Sequence, residues 1–229
     1  MRLSHPGPLP LTDRTPSHYW LTGMSAYGNN MENVSDMKKN LGSKPALFPM
    51  PVTVVSAYDA FGVPNAMTAA WVQISDMDKI ALFVDPDHKT MKNILETKAF
   101  TVAIADVEHM AEADFIGIAS GNTMEDKLGK SGLHTVKSEF VNAPVIEEFP
   151  VSLDCELVDI IDSEHAYAMI GKIVNTSVEE TVIGEDGKVD PEKIHALIFD
   201  QFRNGYYAVG EKVGRGWNAG MELMKKAKE

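Results

Sequence analysis

The feature that most constrains the fold is an alternating segment in the second half of the chain. Residues 151–158 alternate apolar with polar side chains at a period of two, as a half-buried strand does. Residues 166–177 answer this segment across a turn at residues 162–165, so the two predict an antiparallel hairpin. A long hairpin belongs to an antiparallel sheet and argues against a doubly wound parallel sheet.

Short β-type runs also follow one another through the first half of the chain. They predict strands over residues 50–58, 63–74, 79–84 and 101–105, with a turn at residues 59–62. Apolar residues at helical spacing predict a helix after Asp87, a second over residues 107–119 and a short third over residues 124–129. We therefore expect a mainly β protein with inserted helices (α+β), built on a closed, Greek-key-like antiparallel barrel.

Residues 1–36 predict an N-terminal extension, mobile or partly docked, and residues 37–229 a single domain. The extension holds four of the twelve prolines and shows no sustained apolar period. These prolines break the one candidate for the apolar region of a secretory signal, and no apolar run approaches the ~18 residues of a membrane span. We expect a cytoplasmic protein with no membrane contact.

The charge of the chain limits its partners. A formal net charge of −12 opposes binding to a polyanion, so no nucleic-acid partner is expected, although a small phosphorylated ligand remains open. The single cysteine, Cys155, excludes an internal disulfide and fits a reducing compartment. The seven histidines are scattered, and none stands at a metal-ligand spacing beside a carboxylate, so no metal site is expected.

Common catalytic motifs are missing. The sequence has no GxGxxG after a strand, no GxxxxGK[ST], no HExxH and no GxSxG. The usual dinucleotide, nucleotide triphosphatase, metalloprotease and hydrolase sites therefore have no anchor. Two other stretches remain that can carry a ligand.

The first stretch is a strand with unusually small side chains, residues 65–71 (Asn-Ala-Met-Thr-Ala-Ala-Trp). Small side chains let a flat heteroaromatic ring approach the N–H and C=O groups of the backbone. The alternative is that Ala66, Ala69 and Ala70 merely make room for a packed helix.

The second stretch, residues 87–93, lies at the start of the first predicted helix. Helix N-termini offer free N–H groups and a partial positive charge to anions, and His88, Lys89 and Thr90 add further donors for a terminal phosphate. The alternative is that Asp87 caps the helix and the lysines are solvated. Together the two stretches predict a ring platform followed by a phosphate anchor, the arrangement of a flavin mononucleotide (FMN) site.

At these residues the sequence resembles the flavin reductase-like, FMN-binding split-barrel proteins, and within them the flavoredoxin branch. The resemblance extends from about Met37 to the C-terminus. It rests on these segments: residues 50–52, 62–71, Thr90 with Asn93 and Ile94, residues 100–102, 113–121, 126–128 and 206–211.

This resemblance implies a six-stranded antiparallel split barrel, a homodimer, and one FMN per subunit near the dimer interface. It implies ring contacts from one set of residues: Asn65, Met67, Thr68, Ala69, Ala70 and Trp71. It implies phosphate contacts from a second set, His88, Lys89, Thr90 and Asn93, and proximity to the flavin for Ser120, Gly121 and Lys127. The chain departs from relatives at Asp85 and Asp87, whose carboxylates would weaken phosphate binding unless His88 and Lys89 compensate or the loop turns them away.

The function expected on this basis is that of an FMN-dependent oxidoreductase. A flavin reductase would take electrons from NADH or NADPH, whereas a flavoredoxin-like carrier would take them from a redox protein partner. A third hypothesis is a non-catalytic flavin-binding or partner-binding barrel. No catalytic side chain is expected, because the cofactor carries the reactivity. His109 and His134 could protonate the ring or position a substrate, or could be ordinary surface histidines.

Overall fold

The structure is a computed structural model that describes residues 38–164 and 166–228. The predicted extension, residues 1–36, lies outside the described residues, as does His165 of the predicted turn. The chain divides into two units, Met1–Lys44 and Pro45–Glu229. In the first unit, described residues 38–44 form no helix or strand, and the Gly42 N–H donates to Asn40 Oδ1 at 3.2 Å. The elements below all belong to the second unit.

Seven strands form one antiparallel sheet in the order β3-β2-β6-β9-β10-β5-β4. Their bounds are β2 Thr53–Tyr58, β3 Pro64–Ala69, β4 Val72–Asp76, β5 Lys79–Leu82, β6 Ala99–Ile104, β9 Val151–Ser163 and β10 Ala166–Val178. Three further strands, β1 Met50–Pro51, β11 Leu197–Asp200 and β12 Gly205–Ala208, form a second sheet, and β7 Thr135–Lys137 pairs with β8 Pro144–Ile146. The expected antiparallel, mainly β class is therefore confirmed.

The seven-stranded sheet must curl, because its two edge strands are consecutive in sequence. Strands β3 and β4 lie at opposite edges of the sheet, yet only Ala70 and Trp71 separate them. The prediction of a single strand over residues 63–74 was therefore wrong, because the strand is interrupted at these two residues. Counted as one broken strand, β3 and β4 give a six-stranded barrel that is split where the two edges share no hydrogen-bonded ladder.

The predicted hairpin is present as the two longest strands of the barrel. Strands β9 and β10 have 13 residues each and pair from Ser163 opposite Ala166 to Val151 opposite Val178. The register shifts twice, once between Ile170 and Gly171 and once between Ile173 and Asn175. Shifts of this kind bend a strand and increase its twist, which helps the sheet to curl.

Side chains on the two faces of the sheet enter two separate hydrophobic clusters. Val55, Met67 and Val102 belong to the inner cluster, whereas their neighbours Val54, Ala66 and Ala103 belong to the outer cluster. This split follows from the alternation of side chains along a strand. The inner cluster also contains Phe100, which is fully buried, and the outer one is covered by two of the helices.

The helices are short inserts between strands. They are α1 Lys89–Thr97, α2 Met110–Ile118, α3 Lys127–Ser131, α4 Pro191–Ile194 and α5 Met221–Lys226, with a 3₁₀ turn at Glu180–Val182. Helix α1 packs Met91 and Ile94 into the inner cluster, as the helical spacing predicted. Among the described residues, the longest helices have nine residues, so none has the length and apolar character needed to span a bilayer.

Candidate functional site

The two ligand-binding stretches predicted from the sequence meet through one buried hydrogen bond. Asn65, on β3, donates from Nδ2 to Thr90 Oγ1, in the first turn of α1, at 2.6 Å. Thr90 is 1% exposed and Asn65 is also buried. The hydroxyl of Thr90 accepts this bond and keeps its own hydrogen to donate. The strand and the helix N-terminus are thereby held together.

The turn at residues 120–121 lies directly against this pair. A Cβ on Gly121 would stand 2.5 Å from Asn65 Oδ1 and 3.1 Å from Lys89 Cβ, so only glycine allows this close approach. The next residue, Asn122, donates from Nδ2 to the Asp87 carbonyl at 2.9 Å. Ser120 is exposed, and its carbonyl accepts from the Met124 N–H at 2.9 Å. Ser120 and Gly121, which were predicted to lie close to the flavin, thus adjoin the N-terminus of α1.

Lys127 is a buried lysine that contacts the C-terminal end of α2. Its Nζ donates to the carbonyls of Ile116 at 3.0 Å and Ala119 at 3.1 Å, which lie at the C-terminal end of α2. Burial lowers the pKa of Lys127 to about 8, because no carboxylate offsets the loss of water. Lys127 therefore binds carbonyl groups left free at a helix end, where a cation is favourable.

Asn65, Gly121 and Lys127 line one cleft of about 510 Å³, and the buried Thr90 lies behind Asn65. The lining residues that bear on ligand binding are Asp59, Asn65, Lys89, Gly121, Lys127 and His134. Charges of both signs meet there, since Lys89 Nζ lies 3.7 Å from Asp59 Oδ2. Hydrogen bonds from the Val63 and Phe61 N–H groups, together with Lys89, keep the pKa of Asp59 below its usual value.

Sequence reasoning missed Asp59 and named His134 only as one of two histidines with an open role. The ring of His134 is held by Glu148, with 2.7 Å between Nδ1 and Oε1, and Glu148 also accepts the His134 backbone N–H. Asp59 reads in the sequence as an ordinary turn residue, and nothing local indicates its pairing with Lys89, thirty positions away.

The N-terminus of α1 has no side-chain cap within the described chain. His88 occupies the N-cap position and makes no capping hydrogen bond, so the alternative in which Asp87 caps the helix was wrong. The side chain of Asp87 is 93% exposed and lies 3.7 Å from Lys92 Nζ. Asp85 accepts the Asp87 N–H at 2.9 Å. Asp85 is thus engaged by its own turn, Asp87 points to solvent, and the first N–H groups of α1 keep no side-chain acceptor.

The small-residue strand has a free backbone edge. Strand β3 pairs only with β2 within the described chain, so the N–H and C=O groups on its other side have no strand partner. Its side chains are divided between the two faces: Met67 and Ala69 enter the inner cluster, and Ala66 packs under α2 in the outer one. For Ala66, the alternative reading that it makes room for a helix is therefore confirmed.

Two of the predicted contact residues use their polar side chains in hydrogen bonds that hold the fold together. Thr68 donates from Oγ1 to the Ala113 carbonyl on α2, and Asn93, 1% exposed, donates from Nδ2 to the Ala57 carbonyl at 3.4 Å. These bonds fasten α2 to β3 and α1 to β2. The Thr68 hydroxyl can then only accept a hydrogen bond from a ligand, and Asn93 acts on the site through the position of α1.

Trp71 and Ala70 lie at a different cleft, which is mostly apolar and has a volume of about 570 Å³. It is lined by Pro45, Leu47, Trp71, Phe83 and Gln201, among others. The Phe83 N–H donates to the Trp71 carbonyl at 2.9 Å. Residues 84–88 then connect this point to the first turn of α1, where Thr90 meets Asn65. The loop thus joins the two ends of β3, which are ~20 Å apart at the usual rise of a strand.

Two other groups of interest lie outside this arrangement. His109 pairs with Asp106 at 3.0 Å in a separate polar cleft, and Cys155 is buried in the inner cluster. Burial raises the pKa of the Cys155 thiol to about 12, so it is unreactive near neutral pH. No group of three or more metal-ligating side chains occurs among the residues described.

The fold that presents these features is a split antiparallel barrel. Residues 46–204 match the family model described as "Flavin reductase like domain", so the chain belongs to the flavin reductase-like family.

Solved structures of flavoredoxins are similar to the chain. The flavoredoxin of Desulfovibrio vulgaris (Miyazaki F) is 35% identical with a TM-score of 0.77, over 80% of this chain and 100% of that one. The flavoredoxin from Methanosarcina acetivorans is 27% identical with a TM-score of 0.74, over 82% and 100%. An uncharacterised protein of Aeropyrum pernix is 28% identical over 127 residues, 55% of this chain and about half (48%) of its own length.

Proposed function

We propose that the chain binds FMN along the free edge of β3 and passes electrons through it from NAD(P)H or a redox partner to an acceptor. The observation that carries the proposal is the loop of residues 84–88. It starts where Phe83 is bonded to Trp71 and ends at the uncapped first turn of α1, beside Asn65. A ligand with a flat ring at one end and a phosphate at the other matches both ends of this edge.

The phosphate end would be held by α1. The free N–H groups of its first turn favour an anion, and Lys89 and Thr90 are the first two residues of that turn. The residues fit the group because Asp87, the carboxylate nearest in sequence, points to solvent and pairs with Lys92. The pairing of Lys89 with Asp59 works against the fit, since it neutralises part of the available positive charge.

The ring end would be held by the backbone of β3 and by residues 70–71. Small side chains at Ala69 and Ala70 permit close approach to the free N–H and C=O groups, and Trp71 and Phe83 offer apolar surface. FMN, when bound, supplies hydride and single-electron chemistry that no side chain here offers. The chain's own contribution is to bind the ring, orient it and tune its potential through backbone hydrogen bonds, so no catalytic side chain is proposed.

The assembly proposed is a homodimer with FMN near the interface, and the compartment proposed is the cytoplasm. The apolar cleft around Trp71 and Phe83 remains open in one protomer, so the ring end gains cover from a second one. A buried, unreactive cysteine and no second thiol fit a reducing compartment.

A reductase and a carrier differ in their use of nicotinamide. The net charge of −12 favours docking to a basic redox protein over capture of anionic NADPH. Anaerobic mixing of FMN-loaded protein with NADH, and separately with NADPH, distinguishes the two by the rate of flavin bleaching. We expect slow bleaching with NADPH. Turnover with either nucleotide at an enzymatic rate supports the reductase, and bleaching only with a reduced protein donor supports the carrier.

The phosphate assignment is tested at Thr90. Thr90→Val removes the hydroxyl at nearly constant volume, whereas Thr90→Ser keeps it. We expect Thr90→Val to weaken FMN about tenfold, the loss of one hydrogen bond to a charged group, and to change riboflavin binding little. Thr90→Ser should bind FMN like the wild type. Equal losses for FMN and riboflavin in Thr90→Val would show that the hydroxyl supports the fold and not the phosphate.

A further inference from the structure

The chain beyond β12 forms an exposed arm, residues 209–228. The Val209 N–H donates to the Ala196 carbonyl at 3.2 Å and the Lys212 N–H to Glu192 Oε1 at 2.8 Å, which anchors the base of the arm to the barrel. Beyond Lys212, the hydrogen bonds of the described arm are all internal. Every one of its described residues is exposed, including apolar Val213 at 101% and Trp217 at 103%.

The arm is folded although it packs on nothing within its own protomer. Asn218 and Ala219 donate backbone N–H groups to the Arg215 carbonyl, at 3.3 and 3.1 Å, and so form a turn. Trp217, within this turn, has a φ of 56°, a region that an aromatic residue occupies at a cost. Helix α5 follows with six residues, none of them buried. A helix this short is unstable alone, so its order requires a surface to pack against.

The charge of the arm identifies the kind of surface. In the sequence, residues 209–229 carry five basic residues and three acidic ones, a net charge of +2 within a chain of −12: Lys212, Arg215, Lys225, Lys226 and Lys228 against Glu211, Glu222 and Glu229. A basic arm with an exposed tryptophan is complementary to the acidic body of a second copy of this chain. Two copies can exchange arms reciprocally around a twofold axis.

The apolar cleft at the ring end is the surface on the second copy that suits the arm. Leu47, Trp71 and Phe83 are 73%, 49% and 45% exposed there, and nothing in the described protomer covers them. Asp85 adjoins the cleft and offers a carboxylate to a basic arm. We propose that the arm of one protomer docks on this cleft of the other, so that Trp217 of a second copy completes the ring end of the site. The role in flavin binding rests on the proposed function, whereas the docking itself does not.

Disulfide trapping tests the docking without reference to flavin. Asn218→Cys, which keeps Trp217, and Gln73→Cys are made in separate full-length chains of different tagged mass, mixed, and oxidised with and without FMN. Gln73 is exposed and lines the cleft, and native Cys155 is buried and does not compete. We expect a mixed covalent dimer at several times the yield given by Asn218→Cys with Asp186→Cys, an exposed control in the turn at residues 184–187. Equal yields with both partners would overturn the proposal.

Sedimentation of the full chain provides the second measurement. Trp217→Ala should raise the dimer dissociation constant about 30-fold, the cost of losing a central aromatic contact, whereas Phe140→Ala, an exposed aromatic outside the arm, should not. A wild type that is monomeric at all concentrations would overturn the proposal. So would a monomeric protein that binds phosphatidylserine vesicles through its arm. A trapped dimer that takes up no FMN would instead refute the proposed function and leave the arm exchange standing.

Discussion

At the scale of single residues, the site is governed by which charges are already paired. Lys89, at the start of α1, lines the cleft of about 510 Å³ beside Asn65. Its Nζ lies 3.7 Å from Asp59 Oδ2. Asp59 also shapes the turn between β2 and β3, because its Oδ1 accepts from the Val63 N–H at 2.9 Å and the Phe61 N–H at 3.0 Å. One carboxylate thus both builds the site and weakens its attraction for a phosphate.

Asp59→Asn should therefore tighten FMN binding. The amide oxygen can still accept the two turn hydrogen bonds, while Lys89 loses its counter-charge. An exposed ion pair contributes about 0.2–1 kcal/mol, so we expect FMN affinity to rise roughly two- to fivefold and riboflavin affinity to stay constant. Fluorescence titration with both ligands measures this. Asp76→Asn is the control, because it removes one of the two carboxylates paired with Lys79, and neither residue lines this cleft. An unchanged or weaker FMN affinity in Asp59→Asn would contradict the assignment.

Lys127 should make stability depend on alkaline pH. Its folded pKa of about 8 lies below the usual 10.5, so the folded protein releases this proton before the unfolded chain does. The cost of burying the charge is present below about pH 8 and is relieved as the pH rises from there toward 10.5. The free energy of unfolding of the wild type should rise over this range relative to Lys127→Met, which cannot titrate.

Urea unfolding of both proteins at several pH values from 7 to 10 measures the difference. A difference between wild type and Lys127→Met that stays flat across this range would show that Lys127 is not held in a desolvated position.

The sequence indicated which residues surround the site better than what each one does. Asn65, Lys89, Thr90, Gly121 and Lys127 do converge, because the strand and the helix start could be located from local patterns. The bonds of Thr68 to α2 and of Asn93 to β2 could not be predicted, since each joins residues more than thirty positions apart. Whether a polar group is free for a ligand depends on such distant partners.

At the scale of elements, the curl of the sheet depends on the bend of β10 around the core. The register of β10 against β9 shifts at Gly171, where the strand passes over the ring of Phe100. A Cβ on Gly171 would lie 2.3 Å from Phe100 Cζ, and Phe100 is fully buried and cannot move aside. Only a residue without a side chain fits between the strand and this ring.

Gly171→Ala should destabilise the barrel by about 1–3 kcal/mol, the usual cost of overpacking a core. Gly210→Ala is the matched control, because a Cβ there meets nothing within 4 Å. Urea unfolding of the two variants gives the comparison. If Gly171→Ala were as stable as Gly210→Ala, the packing of β10 against Phe100 described above would be wrong.

Most elements could be predicted from local patterns, and the errors have physical causes. The β9–β10 hairpin, helix α1 and the antiparallel class follow from periodicity and turn residues. The break at Ala70 and Trp71 could not be predicted, because residues 65–74 contain no glycine or proline to mark it and the break arises from the curl of the sheet. The absence of a side-chain cap on α1 could not be predicted, because Asp87 is a good capping residue by type. The N-cap position is the next residue, His88.

At the scale of the whole molecule, an acidic protein must bind an anionic cofactor despite the repulsion from its own net negative charge. The net charge of −12 is offset only locally, by the N-terminus of α1 and a few donors around it. The positive charge of the arm is the other local exception, and it lies on a segment that contacts its own barrel only at its base. An acidic or anionic partner is expected at both of these places.

Absorbance titration of the full-length protein with FMN tests the central claim most directly. We predict that the purified protein is yellow, or takes up FMN to one equivalent per chain, and that riboflavin, which lacks the phosphate, binds at least about tenfold more weakly, since the contacts at the start of α1 are charge-assisted. A protein that stays colourless and takes up no FMN would contradict the account.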